Sequence, residues 1–266
     1  MFPKLINFGS FYLPTYGVLV ATGFLVGLAV VAKLAKKAGL SHEKITNLAV
    51  YAALAGLLGA KLTMFLFDWD IYAKNPGELF SIATLQSAGV YQGGLLVAFL
   101  AAVLLIRAYK LPPLLTLDCF APGLALGHAI GRLGCFAAGC CWGAVCERPW
   151  AVTFKNPDAH EITGVPLDIP LHPTQLYESA AEFVIAYALW RLFQRRPNEG
   201  TVMGLYLVAY STVRFFVEFL RFHQQALPFG GPFSNTQWIS LAMALVGLAM
   251  LTRLYPKTIL TSSKTS

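Results

Sequence analysis

The chain has 266 residues, 56% of them hydrophobic and only 12% charged, with a formal net charge of +7. Soluble globular domains carry about 25% charged and about 45–50% apolar residues, so this chain has too few charges to cover a surface facing water. A soluble enzyme, a disordered hub and a coiled coil are excluded, and the composition predicts an all-α, polytopic integral membrane protein.

About 20 apolar residues cross the hydrocarbon of a bilayer. In chain order, residues 5–32 carry no charge, 45–67 carry only Lys61, 79–106 carry none and 111–130 carry only Asp118. A fifth stretch, 171–190, contains Glu178 and Glu182 and is the weakest; a sixth covers 201–222 and a seventh 236–254. Seven transmembrane helices are expected. The first lacks a basic leader and runs too long for a signal peptide, so it reads as a true span.

Of the 20 Lys and Arg residues, twelve follow the odd-numbered stretches: Lys33, Lys36, Lys37 and Lys44; Arg107 and Lys110; Arg191, Arg195 and Arg196; and Arg253, Lys257 and Lys264. The positive-inside rule then puts the N-terminus outside and the C-terminus in the cytoplasm. Dispersed in this way, the basic residues form no patch for nucleic acid, and no such partner is expected. Residues 1–266 read as a single integral membrane domain whose outer-side segments lie near 68–88 and 139–170. No internal repeat and no nucleotide-binding fingerprint interrupts it.

Ionisable residues inside spans are costly and by default functional. Arg214, Glu218 and Arg221 are spaced i, i+4, i+7, which on a continuous helix stacks them on one face. A structural ion pair accounts for such spacing; so does a guanidinium pair that receives a phosphate or carboxylate, and two arginines with one glutamate make a net positive site. Arg132 sits among Gly127, Gly131 and Gly134 at the outer end of the fourth stretch, where small residues favour close helix approach but do not explain the arginine. Tyr16, Gln92 with Gly93 and Gly94, and His172, Gln175 and Tyr177 collect at the same predicted level. Taken singly, each reads equally well as an interfacial anchor.

Three ordered motifs resemble the prolipoprotein diacylglyceryl transferase family: Gly131-Arg132-Leu133-Gly134-Cys135-Phe136-Ala137-Ala138-Gly139-Cys140, His172-Pro173-Thr174-Gln175-Leu176-Tyr177-Glu178, and Arg214-Phe215-Phe216-Val217-Glu218-Phe219-Leu220-Arg221. The similarity runs from Tyr16-Gly17 to the Gln237 region. It implies a bacterial inner-membrane enzyme of lipoprotein biosynthesis, with its active site toward the periplasm. The implied reaction transfers the diacylglyceryl group of phosphatidylglycerol to the lipobox cysteine of a prolipoprotein signal peptide, forming a thioether and releasing glycerol phosphate without a cofactor or metal. By the same resemblance Arg132, Arg214 and Glu218 are the expected catalytic residues. Tyr16, Gln92, Gly93, Gly94, Cys135, Cys140, His172, Gln175, Tyr177, Tyr210 and Arg221 are expected to bind substrate. A different acceptor, or a non-enzymatic lipid or anion transporter built on the same arginines, is the alternative.

The chain departs from the family pattern at three positions. Gln92 stands where the family has histidine, Cys135 where it has asparagine and Cys140 where it has glutamate. Glutamine takes no proton, which leaves His128, His172 or a cysteine thiolate to act as base. Four of the five cysteines, Cys135, Cys140, Cys141 and Cys146, fall within twelve residues. Disulfides bracing an outer loop, a redox-active or acyl-carrying thiol, and a metal site are all open to them, although the paired C-x-x-C spacing usual for metals is missing. Cys119, deeper in the span, reads as packing.

Overall fold

The computed structural model describes residues 2–8, 11–81, 84, 89–221 and 231–254. Its elements are an antiparallel hairpin of β1 (Lys4–Phe8) and β2 (Phe11–Pro14), then α1 (Thr15–Lys37), α2 (His42–Phe67), α3 (Trp69–Lys74), a 3-10 turn at Pro76–Phe80, α4 (Tyr91–Ala108) and α5 (Pro113–Ala138). The two-residue strands β3 (Val152–Thr153) and β4 (Pro170–Leu171) bracket α6 (Pro157–Thr163), and α7 (Thr174–Gln194), α8 (Thr201–Glu218) and α9 (Asn235–Leu254) complete the chain. The protein is mainly helical, and α1, α2, α4, α5 and α9 are long and apolar enough to cross a membrane. The two remaining long helices, α7 and α8, carry the charged residues described below.

Several predicted boundaries move. Residues 5–8 and 11–14, read as the start of the first span, instead pair as β1 and β2, because Pro14 fixes the turn into the helix and the Thr15 amide donates to the Pro3 carbonyl at 3.0 Å. Hydropathy does not distinguish an apolar hairpin from an apolar helix. The third helix starts at Tyr91 rather than 79, and the fourth runs to Ala138, eight residues beyond the apolar stretch, so Arg132 lies within a helix rather than at its end. The sixth stops at Glu218, so Arg221 leaves the helical face shared by Arg214 and Glu218. Phe222 and the stretch 255–266 lie outside the described residues.

Contacts divide the chain into two units. One comprises Ala35–Thr116. In it α2 and α4 pack through small residues: a Cβ on Gly94 would meet the Gly56 carbonyl oxygen at 2.9 Å, and one on Gly93 would collide with the Thr63 side chain. Gly93 and Gly94 of the Gln92-Gly93-Gly94 motif therefore serve close helix approach. Lys61, the one charge in the second apolar stretch, donates to the Thr84 carbonyl at 2.5 Å.

The other unit comprises Met1–Leu34 and Leu117–Ser266. Here α1 and α5 meet backbone to backbone. A Cβ on Gly27 would lie 2.7 Å from the Gly123 oxygen, and one on Gly23 would lie 2.7 Å from the Gly127 oxygen. Gly204 of α8 and Gly247 of α9 repeat the arrangement, with 2.7 Å from a Gly247 Cβ to the Gly204 oxygen. The segment between α5 and α7 builds its own small core from Phe154, Ala159, Val165 and Leu171, with Trp142, Val152 and Leu167 packed against it. Lys4 of β1 reaches that segment through an ion pair to Asp158 at 2.8 Å, and this bond holds the Lys4 ammonium above its ordinary pKa.

Asp118, the lone acid of the fourth stretch, is almost fully buried and caps α8 from the side: its carboxylate accepts from the Gly200 amide at 2.6 Å and the Met203 amide at 2.8 Å. Two orphan donors of a helix N-terminus are thereby satisfied, and the positive end of the helix dipole faces a negative charge. Asp118→Ala orphans both donors at about 1–3 kcal/mol each, and a clear drop in thermal unfolding temperature in detergent is the expected outcome. Asp118→Asn, which keeps an acceptor, should lose less; an equal loss in both variants would refute the capping role.

Candidate active site

Three helices converge on one carboxylate. Glu178, 2% exposed in the first turn and a half of α7, accepts from Arg132 Nε at 2.7 Å and from Arg132 Nη2, both through Oε2. Its other oxygen, Oε1, faces Arg214 Nη1 of α8 at 3.4 Å. Arg214 also pairs with Glu218 one turn on, Nη2 to Oε2 at 2.8 Å. Glu218 Oε1 accepts from the Ser234 hydroxyl at 3.0 Å, and Ser234 opens α9 in a capping box with Gln237: the Ser234 amide donates to Gln237 Oε1 at 2.9 Å and the Gln237 amide to Ser234 Oγ at 3.2 Å. The charged chain thus runs Arg132, Glu178, Arg214, Glu218 and ends on the cap of another helix.

One helical turn away lies a second polar layer, built by i±4 spacing from the same helices. His128, Glu182 and Tyr210 stand four residues from Arg132, Glu178 and Arg214 respectively. Glu182 is fully buried with His128 Nδ1 at 3.7 Å, and the His128 ring meets Tyr210 edge-on at 5.4 Å between centroids. The Ser179 hydroxyl donates to the Ala129 carbonyl at 2.8 Å and closes the α5–α7 seam between the layers.

Backbone pairing draws the three sequence motifs together. The Gly143 amide donates to the His172 carbonyl at 3.0 Å, the His172 amide to Ala144 at 2.9 Å and the Ala144 amide to Leu220 at 2.8 Å, with an isolated bridge between Gly143 and Arg221. Only glycine fits at 143, since a Cβ there would lie 2.6 Å from both the His172 Cβ and the Leu220 oxygen. Gln175 Nε2 donates to the Cys140 carbonyl at 2.6 Å and Thr174 Oγ1 to the Cys141 carbonyl at 2.8 Å. His172 Nδ1 and the Tyr177 hydroxyl are 3.2 Å apart. Tyr16 packs over Gly134, whose Cβ would sit 3.4 Å from the Tyr16 ring.

The five cysteines are free thiols, so the disulfide brace is not formed. Instead Cys135, Cys140 and Cys141 bring their sulfurs within 4.8 Å of one another, and Arg132 Nη1 lies 3.8 Å from the Cys135 sulfur. Cys119 is fully buried, as packing requires.

Of the predicted site residues, the structure gathers Arg132, Arg214 and Glu218 into one ion-pair chain and places Cys135, Cys140, Gln175, His172 and Tyr177 in the loop-to-helix junction beside it. Tyr210 belongs to the second layer. Arg221 meets Gly143 through its backbone instead of extending the Arg214–Glu218 face, and Gln92, Gly93 and Gly94 belong to the other unit. Glu178 and Glu182 were visible in sequence only as charges weakening the fifth stretch. Their i, i+4 spacing inside an apolar helix was the usable signal that each faces a partner.

A family model described as prolipoprotein diacylglyceryl transferase matches residues 3–253. The chain belongs to the prolipoprotein diacylglyceryl transferase family. Among curated relatives of this transferase family, a protein of Finegoldia magna is 33% identical over 94% of both chains. Another from Clostridium tetani is 32% identical over 93% of this chain and 96% of its own. A third, from Vibrio vulnificus, is 33% identical over 96% of this chain and 92% of its own. All three bear the name phosphatidylglycerol–prolipoprotein diacylglyceryl transferase.

Removing one member of a buried ion pair costs about 3–5 kcal/mol because the other is left uncompensated. Glu178→Ala leaves Arg132 with no carboxylate and Arg214 with Glu218 alone, whereas Arg132→Ala leaves Glu178 facing Arg214. Thermal unfolding should therefore rank Glu178→Ala as more destabilised than Arg132→Ala; the reverse order would show that Glu178 is not the hub.

Proposed function

We propose that this protein transfers the diacylglyceryl group of phosphatidylglycerol to the lipobox cysteine of a prolipoprotein signal peptide. The observation that carries the reading is the pair of arginines from two helices held on one buried carboxylate, in a chain of this family. The reacting bond is between a glycerol carbon and a phosphate oxygen; the acceptor sulfur attacks the carbon, the C–O bond breaks, and the electron pair leaves on phosphate as glycerol phosphate. Negative charge gathers on that phosphate, so fixed guanidiniums aimed at it lower the barrier. Arg132 and Arg214 are assigned to the phosphate, and Glu178 and Glu218 to holding their planes.

Arg132 reaches Glu178 through Nε and Nη2 while its Nη1 points toward the Cys135 sulfur, so one edge of the guanidinium is committed and the other is available to a ligand. Tyr16, Cys135, Cys140, His172, Gln175, Tyr177, Tyr210 and Arg221 are assigned to the walls around lipid and peptide, while Gln92, Gly93 and Gly94 are kept as proposed substrate-binding residues of their own unit. In this reading the chain crosses the bacterial inner membrane seven times, α7 and α8 included, with its N-terminus outside. Arg132 near the end of α5, Glu178 near the start of α7 and Arg214 near the end of α8 then share the outer side, as alternating helix directions require. The partners are phosphatidylglycerol, the lipobox peptide and the bilayer itself.

Purified protein incubated with phosphatidylglycerol and a lipobox peptide should add one diacylglyceryl mass to the peptide. Arg132→Ala and Arg214→Ala are each expected to lower turnover about 10²–10³-fold, the usual loss for one preorganised donor, while remaining in the membrane. Lysine at either position restores charge without the fork and should recover only part of it. Near-normal turnover in either alanine variant would remove the phosphate assignment; lipid bound without any mass gain would shift the function to transport.

A further inference from the structure

A wall role for Cys135 and Cys140 leaves unexplained why three sulfurs gather at one point. We infer that Cys135, Cys140 and Cys141 form a three-thiolate site for a soft d10 cation, zinc foremost, whose fourth position accepts the thiol of the peptide substrate. The fourth-ligand role rests on the transferase reading; the metal site itself does not.

Geometry supports the site first. The three sulfurs lie within 4.8 Å of one another, against about 3.8 Å between sulfurs that share a tetrahedral zinc at about 2.3 Å. Adjustment of about 1 Å closes them on an ion. Adjacent residues in an extended chain point to opposite sides, but Cys141 adopts φ 64° directly after Gly139 at φ 81° and Cys140, and this left-handed turn brings two neighbouring thiols to one side. L residues avoid that conformation unless their surroundings hold it, and here the Cys140 amide bonds to the Cys135 carbonyl at 3.1 Å while Gln175 and Thr174 fix the carbonyls of Cys140 and Cys141. The Cys-x4-Cys-Cys spacing, unlike a C-x-x-C pair, becomes a ligand set only through this turn.

Charge and softness agree. Thiolates select soft or borderline ions such as zinc or copper(I) over calcium and magnesium. Three thiolates and a divalent ion leave one negative charge, and the Arg132 guanidinium, shared with Glu178, turns its Nη1 toward it at 3.8 Å from the Cys135 sulfur. Three protein ligands with one position open is the pattern of reactive zinc sites, and a thiol entering that position loses its proton outright. The step balances: the acceptor S–H gives its proton to water, the metal-held sulfur attacks the glycerol carbon, the C–S bond forms, and the C–O pair leaves with the phosphate.

The full-length protein, purified in detergent under anaerobic conditions from zinc-supplemented cells, should carry about one zinc per chain by elemental analysis. Exchanged with cobalt(II), it should show sulfur-to-metal charge-transfer absorption. Cys135→Ser and Cys140→Ser should each lose the metal, while Cys119→Ser and Cys146→Ser keep it. A lipobox peptide should shift the cobalt spectrum, and its Cys→Ser analogue should not. Absence of metal from wild type, with no cobalt uptake and every thiol titrating, would overturn the site, as would a Cys135–Cys140 disulfide found by mass. Metal bound without a peptide-dependent shift would overturn the fourth-ligand role. Metal bound in a protein that transfers nothing to the peptide would sink the transferase reading and leave the metal site standing.

Discussion

A carboxylate buried in an apolar helix bundle has to be paired, and Glu178 meets that demand by holding Arg132 and Arg214 at once. Neither helix face alone satisfies it. The requirement fixes the rotation of α5, α7 and α8 about their axes, because any turn that moves one of the three charges out of reach leaves an uncompensated ion where water is scarce. With the rotations fixed, four-residue spacing dictates what lies one turn away, and His128, Glu182 and Tyr210 come together as a consequence. Apolar burial gives such a bundle no preferred register in lipid, where tails are as apolar as side chains; the glycine contacts of α1 with α5 and α8 with α9 set distance, and the charges set angle.

Pairing within the protein also changes the meaning of the arginines. Counting only Arg214, Glu218 and Arg221 suggests a net positive site, yet Glu178 joins the set and Arg221 leaves the helical face, so Arg132 and Arg214 are balanced by Glu178 and Glu218. A neutral, oriented cluster binds a phosphate less tightly than bare guanidiniums would. It also loses little orientation when charge develops on the leaving group, and that difference between ground and transition state is what accelerates a reaction.

Fold class was legible from composition because so few charges leave no alternative to the bilayer, and residues 236–254 matched α9 almost to the residue. Boundaries failed where hydropathy and conformation part company: residues 5–8 and 11–14 are apolar yet pair as strands, and 131–138 are glycine-rich and cysteine-bearing yet continue α5. At the candidate site, motif order pointed to Arg132, Arg214 and Glu218, and the structure gathers these three into one ion-pair chain with Glu178. Glu178 stood in plain view inside a quoted motif and was read as a flaw in a span, since a charge shows its cost in sequence and its partner only in three dimensions. Asp118 is the same case, its partners being backbone amides some 80 positions away, with Gly200 at a separation of 82. The convergence of the sulfurs was illegible for another reason: it depends on the positive φ of Gly139 and Cys141, which no spacing rule reveals.

The loop that carries Cys140 and Cys141, just past the end of α5, is held by groups other than their side chains. Backbone bonds from Gly143 and Ala144 tie it to His172 and Leu220, and Gln175 and Thr174 grip the carbonyls of Cys140 and Cys141. Carbonyls are the same whatever side chain follows, so the scaffold tolerates a change at 135 or 140 without losing its path. That separation of support from chemistry is what allows cysteine to stand where the resembling family has asparagine and glutamate while the arginines, their carboxylates and the three-way zipper stay in place. Cys135 adjoins the guanidinium edge of Arg132 not committed to Glu178, so the departure changes what that edge meets and leaves the contacts with Glu178 as they were.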